Sequence, residues 1–156
     1  MIRRVLLFIF ILSLAAGLLT GCGTASKSTS TSDASAAVGE HTMPMAPMSM
    51  MPDEVKSAPL VTQQAYQFAV ANPEVVDHIP CYCGCGSMGH TSNYSCYVES
   101  VDAAGKVKFD RHALGCSICV DITQDAMRLS KQGKSPQDIK AYVDRAYSQY
   151  GPSNMK

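Results

Sequence analysis

The chain has 156 residues, 46% of them hydrophobic, with 13 basic and 13 acidic side chains that cancel. That length allows one domain plus extensions, and the even charge, with no basic patch, argues against nucleic acid as a partner. Seven cysteines and nine methionines make sulfur the leading compositional feature.

Met1-Ile2-Arg3-Arg4 is a positively charged start, and an apolar run from Val5 to Leu19 follows, broken only by Ser13 and Gly17. This is the pattern of a secretory signal peptide over residues 1–21, too short and too promptly ended for a membrane span. Its ending, Leu19-Thr20-Gly21-Cys22, resembles a bacterial lipobox, which implies that Cys22 carries the lipid (palmitate among its acyl chains) and begins the mature protein. Removing residues 1–21 takes away Arg3 and Arg4 and leaves 11 basic against 13 acidic side chains, a net charge of −2. The expected location is extracytoplasmic, lipid-anchored to the bacterial cell membrane.

Residues 22–59 read as a flexible tether. Residues 24–37 are mostly Ala, Ser and Thr, too small and polar to form a core. As a free coil, residues 23–59 would span about 33 Å. Within them Met43, Met45, Met48, Met50 and Met51 fall in nine residues, interleaved with prolines that oppose helix. Thioethers are soft, uncharged donors suited to Cu(I), and the segment resembles the methionine motifs of extracytoplasmic copper proteins. The five methionines are therefore expected to act as an auxiliary metal collector, with His41 beside them. A biased linker with no ligand function is the alternative.

From residue 60 the composition becomes globular. Val61, Ala65, Phe68 and Ala69 share one helix face, and Asn72-Pro73 ends that helix and starts a short one carrying Val75, Val76 and Ile79. Residues 98–109 have the alternation of a short β-hairpin turning near Ala104-Gly105. Ile118, Ile122, Ala126 and Leu129 form a helical stripe that stops at Gly133. Ser135-Pro136-Gln137-Asp138 then caps an amphipathic helix through Tyr150. The expected fold is mainly α, about four helices with a short β-hairpin, in a domain over 60–151 followed by a tail over 152–156.

The chemistry sits in the six remaining cysteines. Cys81, Cys83 and Cys85 alternate in a loop opened by Pro80, Cys96 follows, and Cys116 and Cys119 form a C-x-x-C at a helix start. Neighbours in C-x-C cannot pair without a strained ring. Thiolate-rich sets select Cu(I), zinc or iron–sulfur clusters, and three alternating thiols exceed what one structural zinc takes. His90 and His112 lie close enough in sequence to add imidazole, whereas His78 reads as a packed or solvated residue. The leading expectation is a soft-metal site, Cu(I) first with zinc or another soft metal behind it. Its ligands are Cys81, Cys83, Cys85, Cys96, Cys116, Cys119, His90 and His112, and it serves a chaperone or sequestration role with no catalytic residue.

Two other readings stay open. Cys116 and Cys119 could shuttle between dithiol and disulfide as a thiol-disulfide oxidoreductase, which would be the enzymatic alternative. Six cysteines could instead form three structural disulfides in a stapled surface domain. The expected partners are the membrane through the lipid, the metal ion, and a metal-transfer or thiol-redox protein.

Pro80-Cys81-Tyr82-Cys83-Gly84-Cys85 resembles the signature of the PCYCGC-motif lipoproteins of bacteria, over about residues 66–150. The resemblance implies a surface-anchored, cysteine-rich domain with a heavy-metal or redox role. Residues 133–151, downstream of the C-x-x-C, also look like the helical thiol-reductase subunit of bacterial cytochrome c maturation. The spacing here is shorter, and that family has no C-x-C-x-C.

Overall fold

The computed structural model describes residues 41–156; the expected signal peptide, the expected lipidation residue Cys22 and the first part of the expected tether lie outside the described residues. Among the described residues no helix is long and apolar enough to cross a membrane. The domain holds five α-helices: α1 (Asp53–Lys56), α2 (Leu60–Ala71), α3 (Pro73–Val76), α4 (Ser117–Lys131) and α5 (Pro136–Tyr147). One antiparallel hairpin, β1 (Val98–Val101) and β2 (Val107–Phe109), joins the two helical halves. The mainly α fold with a short hairpin is as expected, with one more helix, the single turn of α1.

Local chemistry explains the long elements. Ser135 caps α5 by accepting from the Asp138 N–H at 3.2 Å, with Pro136 in the first turn. At the end of α4, Gly133 adopts φ 72°, its N–H donating to the Ser130 carbonyl while that of Lys134 reaches Leu129. That is the paired closure of a Schellman motif. The hairpin pairs Val98 with Phe109 and Val101 with Val107, with an irregularity after Val98. Its turn is held by Asp102, whose carboxylate accepts from the Ala104 and Lys106 N–H groups.

Helix α4 packs on α2 and α5. The core between them is Ala65, Tyr66, Phe68 and Ala69 from α2, Ile122 and Ala126 from α4, and Ile139 and Val143 from α5. The buried stripe of α2 is rotated from the expected one. Val61 is 51% exposed, and Thr62 and Tyr66 point inward instead. Tyr66 stacks edge-on against Tyr97 at 4.9 Å, a polar-tipped pair that periodicity of aliphatic residues alone does not reveal.

The expectation of a free tether as far as residue 59 needs correction from His41 onward. This segment straps across the domain. The Ala46 N–H donates to the Gln67 carbonyl at 3.0 Å, and the Gln67 side-chain amide returns a bond to the Ala46 carbonyl at 2.8 Å. Asn72 does not cap α3 with its side chain; its amide donates to the Pro44 and Phe68 carbonyls. Met51, 2% exposed, and Val55, 1% exposed, complete the docking. The 3₁₀ turn Met48–Met50 closes backbone bonds within the strap, and the side-chain amides of Gln67 and Asn72 serve the Ala46 and Pro44 carbonyls.

Candidate metal centre

Three backbone devices bring the cysteines together. Pro80 follows the turn that closes α3, and Cys81 and Tyr82 run in irregular chain to a bend at Cys83. Tyr82 anchors to α5 by donating to Asp144 at 2.7 Å. Burial pushes the Tyr82 hydroxyl up to about 12, so it is a neutral donor there. Gly84 then takes φ 85°, a left-handed conformation that other residues enter at a cost of about 1–2 kcal/mol. The chain reverses there into a 3₁₀ turn, Cys85–Met88. On the other side, the 3₁₀ turn His112–Leu114 leads into α4, placing Cys116 at its N-cap and Cys119 in its first turn.

The result is one sulfur-lined centre. Cys119 Sγ lies 3.2 Å from Cys81 Sγ, 3.6 Å from Cys83 Sγ and 3.3 Å from Cys116 Sγ. Cys81 and Cys83 are 3.4 Å apart, and Cys83 is 3.3 Å from His112 Nε2. Cys85 and Cys96 approach to 3.7 Å, and Cys96 lies 3.5 Å from His90 Nδ1. Among the described residues all six cysteines carry free thiols, four of them buried and Cys83 and Cys116 half-buried. All eight expected donors are therefore gathered. His78, exposed in the turn before Pro80, stands apart from them.

Crowding controls the ionisation. The neighbouring Cys119 and Cys96 thiols, acting against burial, hold the Cys81 thiol far below the ordinary thiol range. Cys119 is pushed up by Cys81 and Cys96 and by burial; burial also raises Cys83 and Cys85. Cys96 ends raised although its contact with Cys119 acts downward, because Cys81 and burial outweigh it. The physical content is simple: one thiolate is stabilised by its neighbours' S–H groups, and further negative charge in the same volume requires a cation.

Two residues outside the expected set hold the donors. Asp110 Oδ1 accepts from the His112 N–H at 2.7 Å, and Asp110 Oδ2 lies 3.4 Å from His90 Nε2. A proton shared there leaves His90 Nδ1 with its lone pair facing Cys96, the arrangement that orients a ligating imidazole. Asn154 reaches in from the chain end. Its Oδ1 accepts from the Cys81 N–H at 2.7 Å, and its Nδ2 donates to the Ser92 carbonyl at 3.0 Å and lies 3.5 Å from Cys85 Sγ. Asp110 had one sequence signal, its place two residues before His112; Asn154 had none.

The expected methionine collector is spread over unlike environments. Met51 is core, Met43 and Met48 pack against the core half-buried, and Met45 and Met50 are 38% and 43% exposed. His41, Met43, Met45 and Met127 line a cleft of about 390 Å³.

A family model described as "Protein of unknown function with PCYCGC motif" matches residues 9–154. The chain belongs to the PCYCGC-motif family. No curated protein and no solved structure matches it. The signature hexapeptide of the PCYCGC domain supplies three of the six sulfurs. The match extends past residue 150, so it includes Asn154, which bonds directly to that hexapeptide.

Cysteine and histidine groups of this composition could hold a metal ion. Four sets of donors lie within 4.8 Å of one another: Cys83/His112/Cys116/Cys119, Cys85/His90/Cys96/His112, Cys81/Cys83/Cys85 and Cys81/Cys96/Cys119. Two all-sulfur sets and two of sulfur with one or two imidazoles, with no carboxylate oxygen in any, make a soft donor field that fits Cu(I) or zinc and suits Mg²⁺ or Ca²⁺ poorly.

Proposed function

We propose that this protein is a membrane-anchored extracytoplasmic soft-metal-binding protein that takes Cu(I) as cargo for a chaperone or sequestration role. One observation carries the reading: Cys119 Sγ has three sulfur neighbours within 3.6 Å rather than a single partner. Pairwise disulfides need one partner per sulfur and gain nothing from a third, whereas a shared cation needs this convergence. Cu(I) is preferred to zinc because the donors are sulfur-dominated and His41, Met43, Met45 and Met127 border a cleft on the same domain, a site for weak capture. The extracytoplasmic setting and lipid anchor rest on the residue 1–22 pattern, and the metal-transfer or thiol-redox partner follows from the cargo role.

The test is anaerobic titration of the full chain, in detergent, with Cu(I) against a competing chelator, read by native mass spectrometry. Tight binding of Cu(I) that Cys116→Ser/Cys119→Ser diminishes is the expected result. A chain recovered air-free with three disulfides and no affinity for Cu(I) or zinc would overturn the reading.

One observation favours a second reading. Cys116, half-buried and 3.3 Å from Cys119 at a helix start, is placed for dithiol–disulfide exchange. That reading requires Cys116→Ser/Cys119→Ser to abolish electron exchange with a partner thiol while the other four thiols remain unchanged.

A further inference from the structure

The donors outnumber the coordination sites of a single ion. Six sulfurs and two imidazoles converge, while one soft ion takes no more than about four. They are not uniformly mixed either. The two four-membered sets, Cys83/His112/Cys116/Cys119 and Cys85/His90/Cys96/His112, have only His112 in common. Cys81 belongs to neither set. It groups once with Cys83 and Cys85 and once with Cys96 and Cys119, in each case one sulfur from either set.

We propose that the centre holds two soft metal ions, an outer one on Cys83, Cys116 and Cys119 and an inner one on Cys85, Cys96 and His90, with Cys81 Sγ bridging them. The inference rests on the metal-binding reading above and specifies how the ligands divide. Sulfur separations within the sets support it. A tetrahedral ion with about 2.3 Å bonds to sulfur places its ligand sulfurs about 3.8 Å apart; Cys83 and Cys119 are 3.6 Å apart and Cys85 and Cys96 3.7 Å, while Cys116–Cys119 at 3.3 Å, Cys81–Cys83 at 3.4 Å and Cys81–Cys119 at 3.2 Å have to open as the outer ion enters. Gly84, with its left-handed turn, lies between Cys83 and Cys85 and sends the one to the outer set and the other to the inner. His90, held by Asp110, serves the inner ion, while His112, 3.3 Å from Cys83 and common to both sets, stands beside the four outer sulfurs without adding a fifth ligand.

The two positions differ in access. Cys83, His112 and Cys116 are half-buried, whereas Cys85, His90 and Cys96 are buried. Cys116 also lines a surface cleft of about 320 Å³ with Val61 and Leu114. The outer ion is the exchangeable one, and the inner ion is retained.

The experiment titrates the full chain in detergent, anaerobically, with Cu(I) supplied as its acetonitrile complex and read by native mass spectrometry. Saturation at two ions held against excess acetonitrile, which strips any ion captured weakly at the methionine cleft, is expected, one removed readily by bathocuproine disulfonate and the other slowly. Cys83→Ser/Cys116→Ser should keep one slowly released ion, and Cys85→Ser/Cys96→Ser one readily released ion, with circular dichroism reporting the fold of each. X-ray absorption of the unmodified chain gives a readout independent of the variants: a metal–metal scattering path at two equivalents that is absent at one. Saturation at any other number, or two equivalents without that path, overturns the two-ion division while leaving metal binding standing. No binding at all removes the reading on which it rests.

Discussion

Asn154→Ala tests whether the end of the chain organises the centre. The substitution removes the 2.7 Å bond from the Cys81 N–H, the 3.0 Å bond to the Ser92 carbonyl and the 3.5 Å contact with Cys85 Sγ. The contact to sulfur is too long to count for much. Each of the other two contributes about 1 kcal/mol net, and a part-buried Cys81 N–H left without a partner raises the total toward 3 kcal/mol. The expected loss is about 2–3 kcal/mol in the metal-free chain, measured by reversible denaturation in reducing buffer. Metal ligands hold Cys81 and Cys85 themselves, so loading should recover part of the loss, and the stabilisation gained on loading should be larger in Asn154→Ala than in the unaltered chain. Unchanged stability, within 0.5 kcal/mol, together with an unchanged gain on loading would refute the assignment of Asn154 to the site.

Three further outcomes are expected. Asp110→Asn keeps the size of the side chain but no longer fixes the His90 tautomer; affinity for Cu(I) by chelator competition should fall about 10- to 100-fold. An unaltered affinity would mean that His90 is not a ligand. Met51→Ala, at 2% exposure, should cost about 2–4 kcal/mol in denaturation, whereas the same change at Met50, 43% exposed, should stay within 0.5 kcal/mol. Equal effects would contradict the docked strap. Burial foremost, then the Asp110 charge, raises the Tyr66 hydroxyl above its usual 10.0, and burial does the same for Tyr147. Groups raised in the folded state contribute stability that is complete below pH about 10 and lost as pH climbs, because the unfolded tyrosines ionise first. Stability should therefore decline from pH about 10 upward, less steeply in Tyr66→Phe, as read by denaturation across pH.

Residues that act on near neighbours were the readable ones. Ser135 and Asp138, or Ser130, Gly133 and Lys134, meet within a single helical turn, so their identity and spacing already contain the interaction. The donor set was readable for a related reason: thiols and imidazoles carry their chemistry wherever they sit, and all eight expected ligands converge. Partnership across the fold was not readable. Periodicity says which face of α4 is buried, but not that Cys119 would lie 3.2 Å from Cys81, thirty-eight positions away. Asn154 looks like any polar residue in a terminal tail until the Cys81 backbone is placed beside it. The composition of the methionine segment hid its docking. Its prolines exclude neither short helical turns, at Met48–Met50 and Asp53–Lys56, nor docking, and Met51 fills a recess that only the finished helices create. Val61 failed because Thr62 and Tyr66 go inside, where the Tyr66 hydroxyl finds the Asp110 carbonyl at 2.8 Å.

Near the end of the chain, Gly151 passes so close to the cysteine loop that a Cβ there would stand 2.8 Å from the Tyr82 carbonyl oxygen. Met155 and Lys156 then form one wall of a cleft whose other side is Gly84, Gly86 and Ser87. An affinity handle or fluorescent fusion placed after Lys156 would consequently hang beside the loop that joins Cys83 to Cys85. Reporters for loading studies are better carried on the far hairpin turn around Ala104, where added mass leaves the sulfurs untouched.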